Sequence, residues 1–114
     1  MKTRQEIVNL LKQYTDAVKK IYGPLLSKII LYGSYARGDY HEDSDVDIMI
    51  LLDVPPQDER KQLDDVSTAT SDFNMEHDMY VMPMLKSVRT FKKWETVDPF
   101  FKNVNHEGVV LFGA

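Results

Sequence analysis

The chain contains no cysteine, which excludes disulfides, thiol chemistry and cysteine-bound zinc while saying nothing about compartment. No apolar run approaches the roughly 20 residues of a spanning helix, and the charged start MKTRQEIVNLLKQ lacks the apolar stretch of a secretory signal. The expectation is a cytoplasmic protein with no membrane contact. Positive charge is not in excess either. A net charge of −4 argues against bulk nucleic-acid binding, which needs a basic surface to displace counterions. Local carboxylates instead suit divalent cations, which in turn attract phosphates. Internal repeats and low-complexity linkers are also absent.

What is present fits one globular domain spanning residues 1–114, with 43% hydrophobic and 28% charged residues. Ile7, Leu10, Leu11, Tyr14, Val18 and Ile21 recur at helical spacing, which predicts an amphipathic first helix closed by Gly23-Pro24. Ile29 to Tyr32 is short, apolar and β-branched, so it reads as a buried strand ending at Gly33-Ser34. Residues 34–44 hold one helical turn before Gly38 and then a loop. A second strand covers Val46 to Leu52 and stops before Pro55-Pro56. Gln57 to about Asp72 is charged, with sparse apolar positions Leu63, Val66 and Ala69, as in a solvated helix on one sheet face. Residues 77–82 read as a third strand ended by Pro83. One or two helices follow, interrupted near Asp98-Pro99, and Gly108 leads into the apolar tail VVLF. The fold class is α/β (α+β), a small mixed sheet flanked by helices.

The informative stretch is LYGSYARGDYHEDSDVDIMILLD, from Leu31 to Asp53. Gly33 permits close backbone approach to a phosphate, and Ser34 offers a hydroxyl at the start of a helical turn. Taken alone, the pair is equally a turn after a strand. Asp45 and Asp47 lie two apart, so in a strand they project from one face with Cα atoms roughly 6 to 7 Å apart. Two carboxylates so placed suit Mg²⁺. An acid between Val46 and Ile48 is costly without a cation or hydrogen bonds. A two-metal site generally takes a third carboxylate. The candidate is Asp78, which would also serve as base toward the acceptor proton; Glu76 and Asp72 are the alternatives.

Gly33-Ser34, ten residues, then Asp45-Val46-Asp47 resembles the signature of the DNA polymerase β-like nucleotidyltransferase superfamily. GSYARG followed by SDVDIMI on a short chain is similar to the minimal nucleotidyltransferases of prokaryotes, as is the tail NHEGVVLF. The resemblance covers most of the chain. It implies the polymerase β-like fold, a triphosphate held by Gly33 and Ser34, metals held by Asp45 and Asp47, and a looser carry-over to Asp78. It further implies ATP as substrate, two Mg²⁺ ions, and transfer of AMP to a tyrosine of a HEPN-domain ribonuclease toxin bound in trans, the chain being its antitoxin. Two other readings remain: an antitoxin that neutralises its partner by masking alone, and a small-molecule nucleotidyltransferase acting on an antibiotic hydroxyl.

Arg37 is either a phosphate contact or the partner of Asp39 or Asp43 in an ion pair that holds the loop. His41, His77 and His106 are scattered without metal-ligand spacing. Met75, Met79, Met82 and Met84 read as core or interface filler. Phe91, Trp94, Phe100 and Phe101 read mostly as core.

Overall fold

A computed structural model describes residues 2–41 and 44–113. Helix α1 (Arg4–Tyr22) begins where the Thr3 side chain accepts the Glu6 N–H and ends at Gly23, whose positive φ of 53° breaks the helical path. Its buried residues Ile7, Leu11, Tyr14, Val18 and Tyr22 recur every three or four positions, which is the stripe legible in the sequence. Strand β1 (Leu26–Tyr32) follows, then a one-turn helix α2 (Ser34–Arg37) and strand β2 (Val46–Leu52). Helix α3 (Glu59–His77), strand β3 (Val81–Ser87), helices α4 (Val88–Trp94) and α5 (Pro99–Glu107), and strand β4 (Val109–Phe112) complete the order.

The four strands form one mixed sheet in the order β3-β2-β1-β4. β1 runs antiparallel to β2 and β4, while β2 and β3 are parallel. β2 is therefore central and apolar on both faces. Val46, Ile48, Ile50 and Leu52 join the core built with α1 and α3, whereas Met49 and Leu51 join Phe91 of α4 and Phe101 and Val104 of α5. Two 19-residue helices thus cover one face, and helices of 7 and 9 residues cover the other. The shorter pair leaves the N-terminal end of β2 open. Among the described residues no helix is long and apolar enough to cross a membrane.

Several boundaries differ from the sequence expectation: β1 starts at Leu26, ahead of Ile29, and the larger changes concern α3 and β3. α3 continues to His77, because Phe73 extends the buried spacing of Val66 and Thr70. It ends at Asp78 in the left-handed region, φ 50° and ψ 54°, a conformation that aspartate tolerates better than most residues. β3 accordingly starts at Val81 and runs through Pro83 instead of stopping there. The ladder explains why proline is accepted. Tyr80 O accepts the Val46 N–H, so even-numbered residues of β3 turn their backbone toward β2. The N–H and C=O of Val81 turn outward and bond to the Asn74 side chain. Pro83 shares that outward phase on an edge strand, so its missing N–H removes nothing from the sheet. The break between the last helices lies where expected, with the Asp98 side chain accepting the N–H groups of Phe100 and Phe101 and Pro99 in the first helical position.

Candidate active site

At the end of β1 the chain turns at Gly33, φ 75° and ψ −153°, and α2 begins directly afterwards. α2 is closed by left-handed Gly38 and pinned to the start of α1. The Arg4 Nε donates to Tyr35 O at 2.9 Å, the Arg4 N–H donates to the Tyr40 hydroxyl at 2.9 Å, and the rings of Tyr35 and Tyr40 stack with centroids 4.4 Å apart. The bend at Gly33 is thereby held by long-range contacts as well as by its own backbone preference.

Asp47 pairs across the sheet with Tyr32 of β1 and Met82 of β3. It shares a face with Met49 and Leu51, placing it on the thinly covered side, and Asp45 follows by the same alternation just ahead of β2. The carboxylate of Asp47 packs against Gly33, its Oδ2 lying where a Cβ there would project. Burial first, and the neighbouring Asp45 second, push the Asp47 carboxyl above the usual aspartate range, with Arg37 partly opposing them. Tyr32 is raised to about 12 by burial and then by Asp47.

A cavity of about 680 Å³ opens over these residues, within the size range of small-molecule sites. It is lined by Gly33, Ser34, Arg37, Asp45 and Asp47, bringing together five of the six residues singled out from the sequence. Arg37 is tied internally: its Nε donates to Asp39 Oδ2 at 3.2 Å and its Nη1 lies 3.6 Å from Glu107 Oε2. Asp39 accordingly raises the Arg37 pKa further, with Glu107 adding to it. Asp43, the other partner considered, lies outside the described residues.

Asp78 is the sixth residue, and the structure does not bring it to the cavity. It is the cap of α3, ahead of β3, and its carbonyl accepts from Lys2 Nζ at 3.4 Å. It lies apart because helical burial of Phe73 carried α3 five residues past Asp72 and moved the strand start with it. The alternatives fare no better: Asp72 borders a separate hollow with Ile21, Asp65, Thr68 and Ala69, and exposed Glu76 lies 3.9 Å from His77. Among the described residues no three His, Asp or Glu side chains converge as metal ligands.

The cavity also has a wall that the sequence analysis did not foresee. Phe100, Asn103, Val104 and Glu107 of α5 line it, together with Tyr32, and the Phe100 ring meets Tyr32 edge-on at 5.7 Å. The signal was available, since positions 100, 103, 104 and 107 fall on one helical stripe. It mixes aromatic, amide and carboxylate groups, so it does not look like core. His41 and Ser44 complete the rim; the His41 N–H donates to Ser44 Oγ at 2.8 Å.

Residues 11–107 match the family described as nucleotidyltransferase domain. A Methanocaldococcus jannaschii protein named as a protein adenylyltransferase is 35% identical over 105 residues, covering 90% of this chain and 94% of the relative. The fold is similar to that of a solved toxin-antitoxin with AMP-PNP, with a TM-score of 0.54 at 23% identity, covering 93% of this chain and 74% of the other. It is also similar to a chain in the structure of a tri-AMPylated Shewanella oneidensis HEPN toxin in complex with MNT antitoxin. There the TM-score is 0.51 at 19% identity, over 94% of this chain and 73% of that one.

Proposed function

Because the chain belongs to the nucleotidyltransferase domain family, we propose that it is an antitoxin that moves AMP from ATP onto a tyrosine of a HEPN-domain toxin bound in trans. The observation that carries this reading is the convergence of Asp45 and Asp47 beside the Gly33-Ser34 bend, in one cavity of ligand size. The name of the 35% identical relative and the adenylylated toxin in one structural neighbour support the acceptor class.

The residues take distinct roles. Gly33 and Ser34 receive the triphosphate, whose terminal phosphates also meet Arg37 once it exchanges Asp39 and Glu107 for phosphate oxygens. Tyr32 and Phe100 offer an aromatic wall against which a base stacks. Asp45 and Asp47 would hold Mg²⁺, and the donor set fits that ion. Burial first, and the neighbouring Asp45 second, disfavour the bare Asp47 carboxylate, and Mg²⁺ is usually held by one or two carboxylates plus substrate phosphates. Bound there, the ion would neutralise charge on the phosphates under attack. The acceptor oxygen attacks the α-phosphorus, the bond to pyrophosphate breaks, and the hydroxyl proton passes to solvent. A phenol with pKa of about 10 releases that proton far more readily than an aliphatic alcohol, which suits a cavity that Asp78 does not reach.

The test combines the purified chain, α-labelled ATP, Mg²⁺ and the HEPN-domain protein of its own genome. Label should appear on a toxin tyrosine, and Asp47→Ala, checked for folding by circular dichroism, should lower the rate at least ~100-fold, the scale on which electrostatic stabilisers act. A variant that labels at the wild-type rate would remove Asp47 from the site. Neutralisation of the toxin by a label-free variant would favour masking.

A further inference from the structure

We infer that Tyr80 and Met82 form the acceptor subsite, an apolar shelf that receives the aromatic ring of a protein hydroxyl-bearing side chain beside the acid pair. The inference rests on the nucleotidyl-transfer reading and adds to it the place from which the acceptor enters.

Register places the shelf. Met82 is the in-register partner of Asp47 on the parallel strand β3, so the two side chains leave the same sheet face about 4.8 Å apart. Met79, Val81 and Leu85 sit in the core under α1 and α3, which turns Tyr80 and Met82 to the opposite face, that of Asp45 and Asp47. Further along the same phase, Met84 packs beneath α4 and α5. Those short helices do not reach Tyr80 and Met82, which remain 58% and 54% exposed.

The direction of attack selects this side. All the phosphate-binding groups of the cavity come from the β1 side of the acid pair: Gly33, Ser34 and Arg37, with α5 behind them, and β3 contributes no lining residue. Pyrophosphate leaving toward Gly33-Ser34 requires the attacking oxygen to arrive in line from the opposite side, over β3. The reaction needs no further reactant: the acceptor oxygen gains the phosphorus, pyrophosphate takes the leaving electron pair, and the proton goes to solvent.

The chemistry of the shelf selects the ring. The thioether of Met82 and the ring of Tyr80 favour aromatic contact, and an uncharged ring avoids the repulsion that Asp45 and Asp47 impose on an acidic group. The only charged residue of β3 is Lys86, so the shelf itself offers no carboxylates to a polycationic sugar.

The experiment compares wild type with the Tyr80→Ser/Met82→Ser double variant and the conservative Tyr80→Phe/Met82→Leu variant. Affinity for an ATP analogue with a methylene bridge between the α- and β-phosphates is measured by calorimetry, and acceptor KM by transfer of label to the HEPN-domain protein. The serine variant should raise acceptor KM at least tenfold with nucleotide Kd within twofold of wild type, and the conservative variant should restore the wild-type KM. An unchanged KM in the serine variant, a matching loss of nucleotide affinity, or efficient transfer by wild type to kanamycin would overturn the shelf. Failure of wild type to bind the analogue at all would instead sink the enzyme reading, and the shelf with it.

Discussion

The Asp47 carboxylate occupies the space that a Cβ on Gly33 would fill. Glycine here therefore answers two demands at once, a φ of 75° and room for the acid that defines the site. The Gly33 bend and the strand that carries Asp47 are fitted to one another atom against atom, across the β1–β2 pair that links Tyr32 to Asp47.

Gly33→Ala should accordingly inactivate the protein without unfolding it. The backbone strain is on the order of 1–3 kcal/mol, and the added methyl displaces the Asp47 side chain. Circular dichroism should remain native, Tm should fall by several degrees, and labelling of the toxin should drop to the level of Asp47→Ala. A variant of wild-type rate would show that the close contact has no bearing on the site.

Asp47→Asn should stabilise the fold at neutral pH in the absence of divalent ions. Burial and Asp45 raise the folded-state pKa of Asp47, so the ionised group costs stability that the protonated group does not. Wild type is thus most favoured below the unfolded aspartate pKa of about 3.9, and loses ground as pH rises through the higher folded value. The carboxylate is substantially solvated, so the gain is small, ~2 °C in Tm. It should close as pH falls to 3. Mg²⁺ should raise Tm of wild type and leave the variant unchanged. Equal Tm at neutral pH together with equal Mg²⁺ responses would refute both the electrostatic and the ligand assignment.

Glu107→Gln should tighten nucleotide binding. Glu107 lies 3.6 Å from Arg37 at the cavity rim and, in the proposed function, would compete with phosphate for the guanidinium. Removing its charge should improve ATP affinity about threefold at low salt, with the gain shrinking as ionic strength rises. Arg37→Ala should weaken affinity by about tenfold, as loss of a charge-assisted contact does. Titration calorimetry at two salt concentrations separates these outcomes. Weaker binding in Glu107→Gln would indicate that Glu107 holds Arg37 in its productive position.

The local elements were legible because their causes are local. The spacing of Ile7, Leu11, Tyr14 and Val18 dictates an amphipathic helix, the apolar run at Val46–Leu52 dictates a buried strand, and Asp98-Pro99 opens a helix by capping chemistry. The same holds for the heart of the candidate site. Gly33-Ser34 and Asp45-x-Asp47 end and begin strands that an alternating backbone must aim at one another, and all four residues line the cavity.

Asp78, by contrast, was misplaced because its position depends on how far α3 persists. That is settled by Phe73 reaching the core between α1 and the sheet, an energy that no local propensity expresses. The strand through Pro83 was likewise decided by β3 lying at the sheet edge, where the unpaired side tolerates a missing donor.

By itself the sequence determined the first helix, the central strand and the capped start of α5, and which backbone bend and acid pair meet. Short-range periodicity, glycine conformation and side-chain alternation act over a few residues, so a linear reading reaches them. Only the tertiary structure decided what surrounds that pair: α5 as the second wall, Glu107 and Asp39 on Arg37, and Met82 rather than Asp78 beside Asp47. Those neighbours are distant in sequence and are chosen by which helix face and which strand edge best bury apolar surface, a balance struck over the whole core.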